Sequence, residues 1–173
     1  MTEIVHVVVM GVAGSGKTTV ARILAERLGW PYAEADEFHP PENIAKMSAG
    51  EPLTDEDRWP WLRAIRDWMT ARTRAGESAV VTCSALKVVY RDLLREAEGR
   101  VRFVHLAAPA PLLEDRMEHR AGHFMPTSLL TSQLATLEPL TDAEDGVTIS
   151  VEEPPDAVAD RAMADLHLSE ERS

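Results

Sequence analysis

The chain has 173 residues, 45% of them hydrophobic, which is enough to bury one sizeable core and leaves little room for a second domain. Its formal net charge of −11 repels nucleic-acid phosphates and anionic lipid headgroups, so an anionic ligand must be met by a local cluster of Arg, Lys or backbone N–H groups. A single cysteine, Cys83, excludes an internal disulfide and any multi-cysteine metal site and suits a reducing compartment. The apolar run near the start is too short to span a bilayer and flows into a glycine motif, so the expectation is one soluble, cytoplasmic domain over residues 1–173 with no nucleic-acid or membrane partner.

The predicted elements alternate between strand and helix. Residues 4–10, IVHVVVM, form an uninterrupted β-branched run suited to a central strand buried on both faces. A glycine loop follows, and from Lys17 the apolar positions Val20, Ile23, Leu24 and Leu28 recur at helical spacing until Gly29 stops them. Residues 31–36 read as a short strand ending on Asp36, and residues 40–48 as a short helix opened by Pro40 and Pro41. Thr54 and Asp57 make a capping-box-like start for a helix that ends near Gly76 and that Pro60 is expected to kink or restart. Its apolar face is Trp61, Leu62, Ile65, Trp68 and Met69. Residues 78–86 read as a buried strand, 87–99 as a helix, 100–108 as a strand and 109–121 as a helix. A helix over 127–138, a strand over 145–151 and a last helix from 154 to about 168 complete the chain. Five strands alternating with helices predict a parallel sheet covered on both faces, with ligands at the carboxyl ends of the strands.

GVAGSGKT, residues 11–18, satisfies the pattern G-x-x-x-x-G-K-[ST] and lies between a strand and a helix, the context that motif needs. Its glycines let backbone N–H groups turn inward on phosphate oxygens, Lys17 would reach the β and γ phosphates, and Thr18 would offer its hydroxyl to Mg²⁺. The motif assigns a ligand, ATP, rather than an activity. A guanine-reading N-K-x-D is absent, because the only asparagine, Asn43, is followed by Ile44. Neither AVVTC nor RFVHL ends in the acid of an ordinary Walker B strand. The strand-terminal acid is Asp36, where a small-molecule kinase would hold its acceptor hydroxyl.

The stretch ADEFHPPENIAKM, residues 35–47, admits three readings: part of a metal site, a catalytic base, or a polar turn. No His or Cys cluster supplies the further ligands of a metal site, and a plain turn would not explain why the strand-terminal acid falls here and on no other strand. Asp36 is read as the base, with the turn as the alternative, and His39 as a partner to a substrate hydroxyl or a structural hydrogen bonder. Arg58 and the set Ser84, Lys87 and Arg91 offer polar and cationic groups to the same end of the sheet and suit an anionic, hydroxyl-bearing substrate. Arg58 could grip a carboxylate bidentately; Lys87 and Arg91 read equally well as solvated helix charges. Arg116 and Arg120, four apart on one helical face, suit a lid over about residues 116–128 that closes on the transferring phosphate, or surface ion pairs with Glu114, Asp115 and Glu118.

The blocks GVAGSGKTT, DEFHPPENIAKMSAGEPLTDEDRWPWL, CSALKVVYRDLLR and GHFMPTSLLTSQLATLEP, in this order, resemble the gluconokinase (gluconate kinase) family of P-loop carbohydrate kinases. The resemblance implies a three-layer P-loop NTPase sandwich like shikimate and adenylate kinases, ATP-dependent phosphorylation of D-gluconate to 6-phospho-D-gluconate, and a homodimer. Carried over by position, it implies ATP binding by Gly11, Val12, Ala13, Gly14, Ser15, Gly16, Lys17, Thr18 and Thr19. Asp36, His39, Arg58, Ser84, Lys87 and Arg91 fall at the acceptor, and Lys17, Asp36, Arg116 and Arg120 at the transfer step. Two departures stand out: Glu34 and Ala35 replace an expected Asp-Gly near the acceptor, and EPLTDAED lacks a double proline in the loop expected on the adenine side. The rival expectations are a kinase of the same fold acting on shikimate or another sugar acid, and a non-catalytic nucleotide-binding switch.

Overall fold

A computed structural model of the chain describes residues 3–12, 14–51, 53–118 and 127–168, with the side chains of residues 114, 116–118 and 127–129 outside that description. Five parallel strands form one sheet in the order β2-β3-β1-β4-β5. They are β1 (Val5–Met10), β2 (Tyr32–Glu34), β3 (Ala79–Thr82), β4 (Arg100–Ala107) and β5 (Gly146–Ser150). β1 is central, as its unbroken apolar run predicts, and all six of its residues are buried. Val5, Val7 and Val9 join a core beneath α1 (Lys17–Leu28) and α7 (Pro155–Asp165). Val8 and Met10 face the other way, into a core shared with α3 (Asp55–Arg74) and α4 (Val88–Leu94).

The elements differ from expectation mostly at their ends, and each difference has a local cause. β2 stops after three residues because the chain tightens into a 3-10 turn over Ala35–Phe38 before α2 (Pro41–Ser48). β3 stops at Thr82: Cys83 N–H still donates to Val9 O at 3.1 Å, but Ala85 takes a left-handed φ of 46° and turns the chain away. α3 runs unbroken through Pro60, which lies near its exposed start, where water can donate to the carbonyl that lost its N–H partner. α5 (Ala110–Glu118) and α6 (Thr127–Thr136) follow β4. α6 ends short of residue 138 because the Glu138 N–H donates instead to Leu86 O at 2.7 Å. Among the described residues no helix is long and apolar enough to cross a membrane.

Candidate active site

The turn after β1 is built for close approach. Gly11, Gly14 and Gly16 have φ of 149°, 83° and 92°, and a Cβ on Gly11 would stand 2.8 Å from both Leu106 O and Ser15 Oγ. Gly16 caps α1 without contributing a side chain, so the first N–H groups of the helix face the loop, where the helix dipole favours an anion. Lys17 Nζ donates to the loop carbonyls of Gly11 at 3.0 Å and Val12 at 3.1 Å. The buried Ser15 Oγ has no hydrogen-bond partner among the described residues. A cradle of inward amides, a hydroxyl awaiting a partner and an ammonium folded over the loop together fit a polyphosphate. Ala13, expected in the same loop, lies outside the described residues.

Beside this loop opens a cavity of about 360 Å³, lined by Gly14, Gly16, Thr18 and Thr19 on one side and by Val151 and Pro155 on the other. The two residues past β5 carried no motif and were missed in the sequence. The 138–145 loop, expected here, is not among the lining residues and is anchored elsewhere, as its Glu144 shows below. For Mg²⁺, among the described residues no group of three or more His, Cys, Asp or Glu side chains could hold a metal ion. Thr18 at the head of α1 thus fits a cation that arrives on a nucleotide's phosphates and keeps most of its own water.

Asp36 sits in the first turn of the 3-10 segment, exposed, on a backbone held from two sides. Thr82 Oγ1 accepts from Ala35 N–H at 3.2 Å and donates to Glu34 Oε2 at 2.7 Å, while the Trp61 indole N–H donates to Ala35 O at 2.7 Å. Glu34, one of the two departures noted in the sequence, thus serves to brace the turn. Neighbouring His39 is 9% exposed, its ring stacked on Trp61 at 4.1 Å between centroids. Its Nδ1 accepts from Asn43 Nδ2 at 3.2 Å, and Asn43 also donates to Asp57 O at 2.9 Å. Burial, seconded by the Arg58 charge, pushes the His39 imidazole down to about 4. His39 is therefore a neutral hydrogen bonder with its Nδ1 committed to the fold.

Arg58, Lys87 and Ser84 converge on the same edge. Arg58 Nη1 donates to Tyr90 Oη at 2.7 Å, Tyr90 Oη donates in turn to Asp55 Oδ1, and Lys87 Nζ donates to that same Oδ1 at 3.2 Å. The Ser84 carbonyl accepts from Gly11 N–H at 3.4 Å, which ties the loop after β3 to the phosphate loop. Tyr90 and Asp55 were not singled out in the sequence, although each lies three residues along a helix from a residue that was.

Arg91 stands apart. Its side chain is fully buried and bonded to Glu144 Oε2 at 2.6 Å, Glu144 Oε1 at 3.0 Å, Ala85 O at 2.8 Å and Pro139 O at 3.3 Å. It was expected among the substrate-facing cations; the structure places it in the core, joining the 138–145 loop to the turn after β3. Arg120 lies outside the described residues, as does most of the expected lid, and for Arg116 only the backbone, in α5, is described.

The fully buried Cys83, its thiol pushed up to about 12 by burial, links the groups in space. It feels the charges of Lys17, Asp36 and Arg58, so each of the three stands in its neighbourhood, at the edge where β1, β2 and β3 end. That is where an open parallel sheet places its ligands.

A family model described as an AAA domain matches residues 7–125. The gluconokinase of Gluconobacter oxydans (strain 621H) is 53% identical over 156 residues, covering 90% of this chain and 88% of that protein. Among solved structures, an unliganded sugar kinase from Janibacter sp. HTCC2649 superposes with a TM-score of 0.92 at 56% identity, covering 95% of each chain. A gluconokinase from Sinorhizobium meliloti 1021 does so with a TM-score of 0.86 at 49% identity, covering 96% of this chain and 94% of the other. At more than half identity over nine-tenths of its length, the chain belongs to the gluconokinase family.

Proposed function

We propose that this protein transfers the γ-phosphoryl group of ATP to the primary hydroxyl of D-gluconate, giving 6-phospho-D-gluconate and ADP. The observation that carries the reading is the phosphate cradle around Lys17, on the sheet edge where Asp36 and Arg58 also lie, which suits a phosphate binder, a base and a carboxylate binder. Gluconate offers a chemical counterpart for each of the last two, a hydroxyl at one end and a carboxylate at the other.

In this reading Asp36 orients the acceptor hydroxyl and accepts its proton as the oxygen bonds to the γ-phosphorus and the bond to the β-phosphate oxygen breaks. Lys17 leaves the loop carbonyls to follow the phosphates, and the amides of residues 14–18 hold them in line. Thr18 would hold Mg²⁺, which would supply charge neutralisation on the phosphate oxygens. The cavity between Thr19 and Pro155 takes the nucleobase side of ATP. Arg58 and Lys87 hold the carboxylate, and Ser84 adds a hydroxyl to the acceptor. Arg91 is left out of the substrate set, because all its described contacts are with the fold. Arg116 and Arg120 are assigned to the closing lid over 116–128 on their spacing alone. The family resemblance supports a homodimer, and the lone cysteine and short apolar run support a cytoplasmic setting; sedimentation of the purified protein tests the first.

A coupled ADP-release assay over gluconate, shikimate, AMP and related sugar acids tests the function. Turnover is expected with gluconate well above the others. Preference for another acid would move the substrate, and ATP binding without acceptor-dependent turnover would overturn the kinase reading.

A further inference from the structure

The four side chains Arg58, Tyr90, Asp55 and Lys87 form a closed set whose order is dictated by proton count. Tyr90 Oη has one proton, and it goes to Asp55 Oδ1. The lone pairs of the phenol are thereby turned to Arg58 Nη1, 2.7 Å away. The Tyr90 ring is 1% exposed, packs edge-on against Trp59 with centroids 5.7 Å apart, and lies 5.2 Å from the Arg58 guanidinium carbon and 5.5 Å from Lys87 Nζ. Both cations are thus held against one immobile ring. The Tyr90 hydroxyl is the only hydrogen-bond partner of Arg58 among the described residues, which leaves four of its five N–H groups for a ligand.

Charge gives the set a second property. Two cations and one carboxylate leave a single positive charge in excess, in a chain of net charge −11. Asp55 also holds Lys87 in the ammonium form, through their hydrogen bond and their opposite charges. One further carboxylate neutralises the set, whereas a neutral acceptor end leaves its positive charge unmet.

We propose that Tyr90 and Asp55 are positioning residues that fix Arg58 and Lys87 as a reader of one acceptor carboxylate. This rests on the reading of Arg58 and Lys87 as acceptor-binding residues. Tyr90 supplies geometry and Asp55 the charge balance, and neither touches the transferring phosphate.

Tyr90→Phe keeps the ring, its packing and both cation contacts while removing the hydroxyl. It is expected to raise the gluconate KM about tenfold, with the ATP KM unchanged and kcat within about threefold. A purely structural role would instead lower the thermal midpoint and shift both KM values together. Asp55→Asn makes the set doubly positive, so the gluconate KM is expected to rise with ionic strength about threefold more steeply than in the wild type. Should the acceptor assay select a different acid, the same kinetics are run with that acid. A readout without any acceptor keeps the two questions apart: the Arg58 Nε–H resonance of the ligand-free protein, assigned by its loss in Arg58→Lys, should shift and broaden in Tyr90→Phe. An unmoved resonance, an unchanged acceptor KM in Tyr90→Phe, or a wild-type salt dependence of the acceptor KM in Asp55→Asn overturns the proposal.

Discussion

Arg91 and Glu144 form a bidentate pair, Nε to Oε2 at 2.6 Å and Nη2 to Oε1 at 3.0 Å, with side chains 0% and 3% exposed. Burial works against ionisation of Glu144, but the Arg91 hydrogen bonds and charge outweigh it and hold the carboxyl below its usual range. Arg91 also bonds Ala85 O, whose φ of 46° is a left-handed conformation that a residue with a Cβ rarely adopts. The pair thus holds the turn that presents Ser84 to the phosphate loop. Removing Arg91 leaves the buried Glu144 only Arg95 Nη1, 3.2 Å away, to meet its charge, and removing Glu144 strands Arg91 in the core. Arg91→Ala is expected to lose about 3–5 kcal/mol of stability in urea unfolding, and Arg91→Met with Glu144→Leu to recover much of it. A loss under 1 kcal/mol for Arg91→Ala, roughly the value of an exposed pair, would contradict this.

Gly11 cannot carry a side chain without displacing backbone. At a φ of 149° its added Cβ would meet Leu106 O at 2.8 Å, and a strand carbonyl cannot swing aside as a side chain can. Gly11→Ala is expected to lose roughly 1–3 kcal/mol of stability and to weaken ATP binding, because β1 and the phosphate loop must part to admit the methyl group. Calorimetric titration with a non-hydrolysable ATP analogue reads the second effect; wild-type affinity would show that the cradle is not the ATP site.

Asp36→Asn keeps the size of the side chain and removes the base. The backbone around it is held by Thr82 and Trp61, so the fold and both KM values should stay close to wild type while kcat falls by about 10²–10⁴-fold. Turnover near the wild-type rate in the acceptor assay would remove Asp36 from proton transfer.

The buried imidazoles make stability depend on pH with a definite sign. Burial pushes His6 down to about 4 and His39, with help from Arg58, also to about 4, while His105 is lowered by burial and the Arg91 charge. An unfolded histidine titrates near about 6.5, so between about 6.5 and 4 the unfolded chain binds more protons and stability is lost as the pH falls. Above that window these groups add no pH dependence. Urea midpoints at a series of pH values should fall steeply below about 6.5, and His6→Asn should flatten the slope. A midpoint that holds steady down to pH 4.5 would contradict the burial argument.

Strand and helix periodicity, the capping box of Thr54 and Asp57, and the glycine spacing of the phosphate loop are local properties, each set by a few neighbouring residues, and they were readable without coordinates. So was the central place of the first strand, whereas the second, expected to end on Asp36, stops at Glu34 and leaves Asp36 in the 3-10 turn. Strand ends were not readable, because β3 stops where Ala85 turns and α6 where Glu138 bonds Leu86, and both depend on partners far along the chain.

The tertiary structure alone decided the fate of individual charges. Arg91 and Lys87 lie four residues apart on one segment and looked alike in the sequence, yet Glu144 arrives from 53 residues away to draw Arg91 into the core. Lys87 stays at the edge with Asp55, 32 residues distant, and with Tyr90 beside it. Whether a charged side chain meets a ligand or braces the fold depends on which opposite charge the folded chain brings to it. A sequence states the charge and its helical face; only packing supplies the partner, and with it the dielectric in which the two interact.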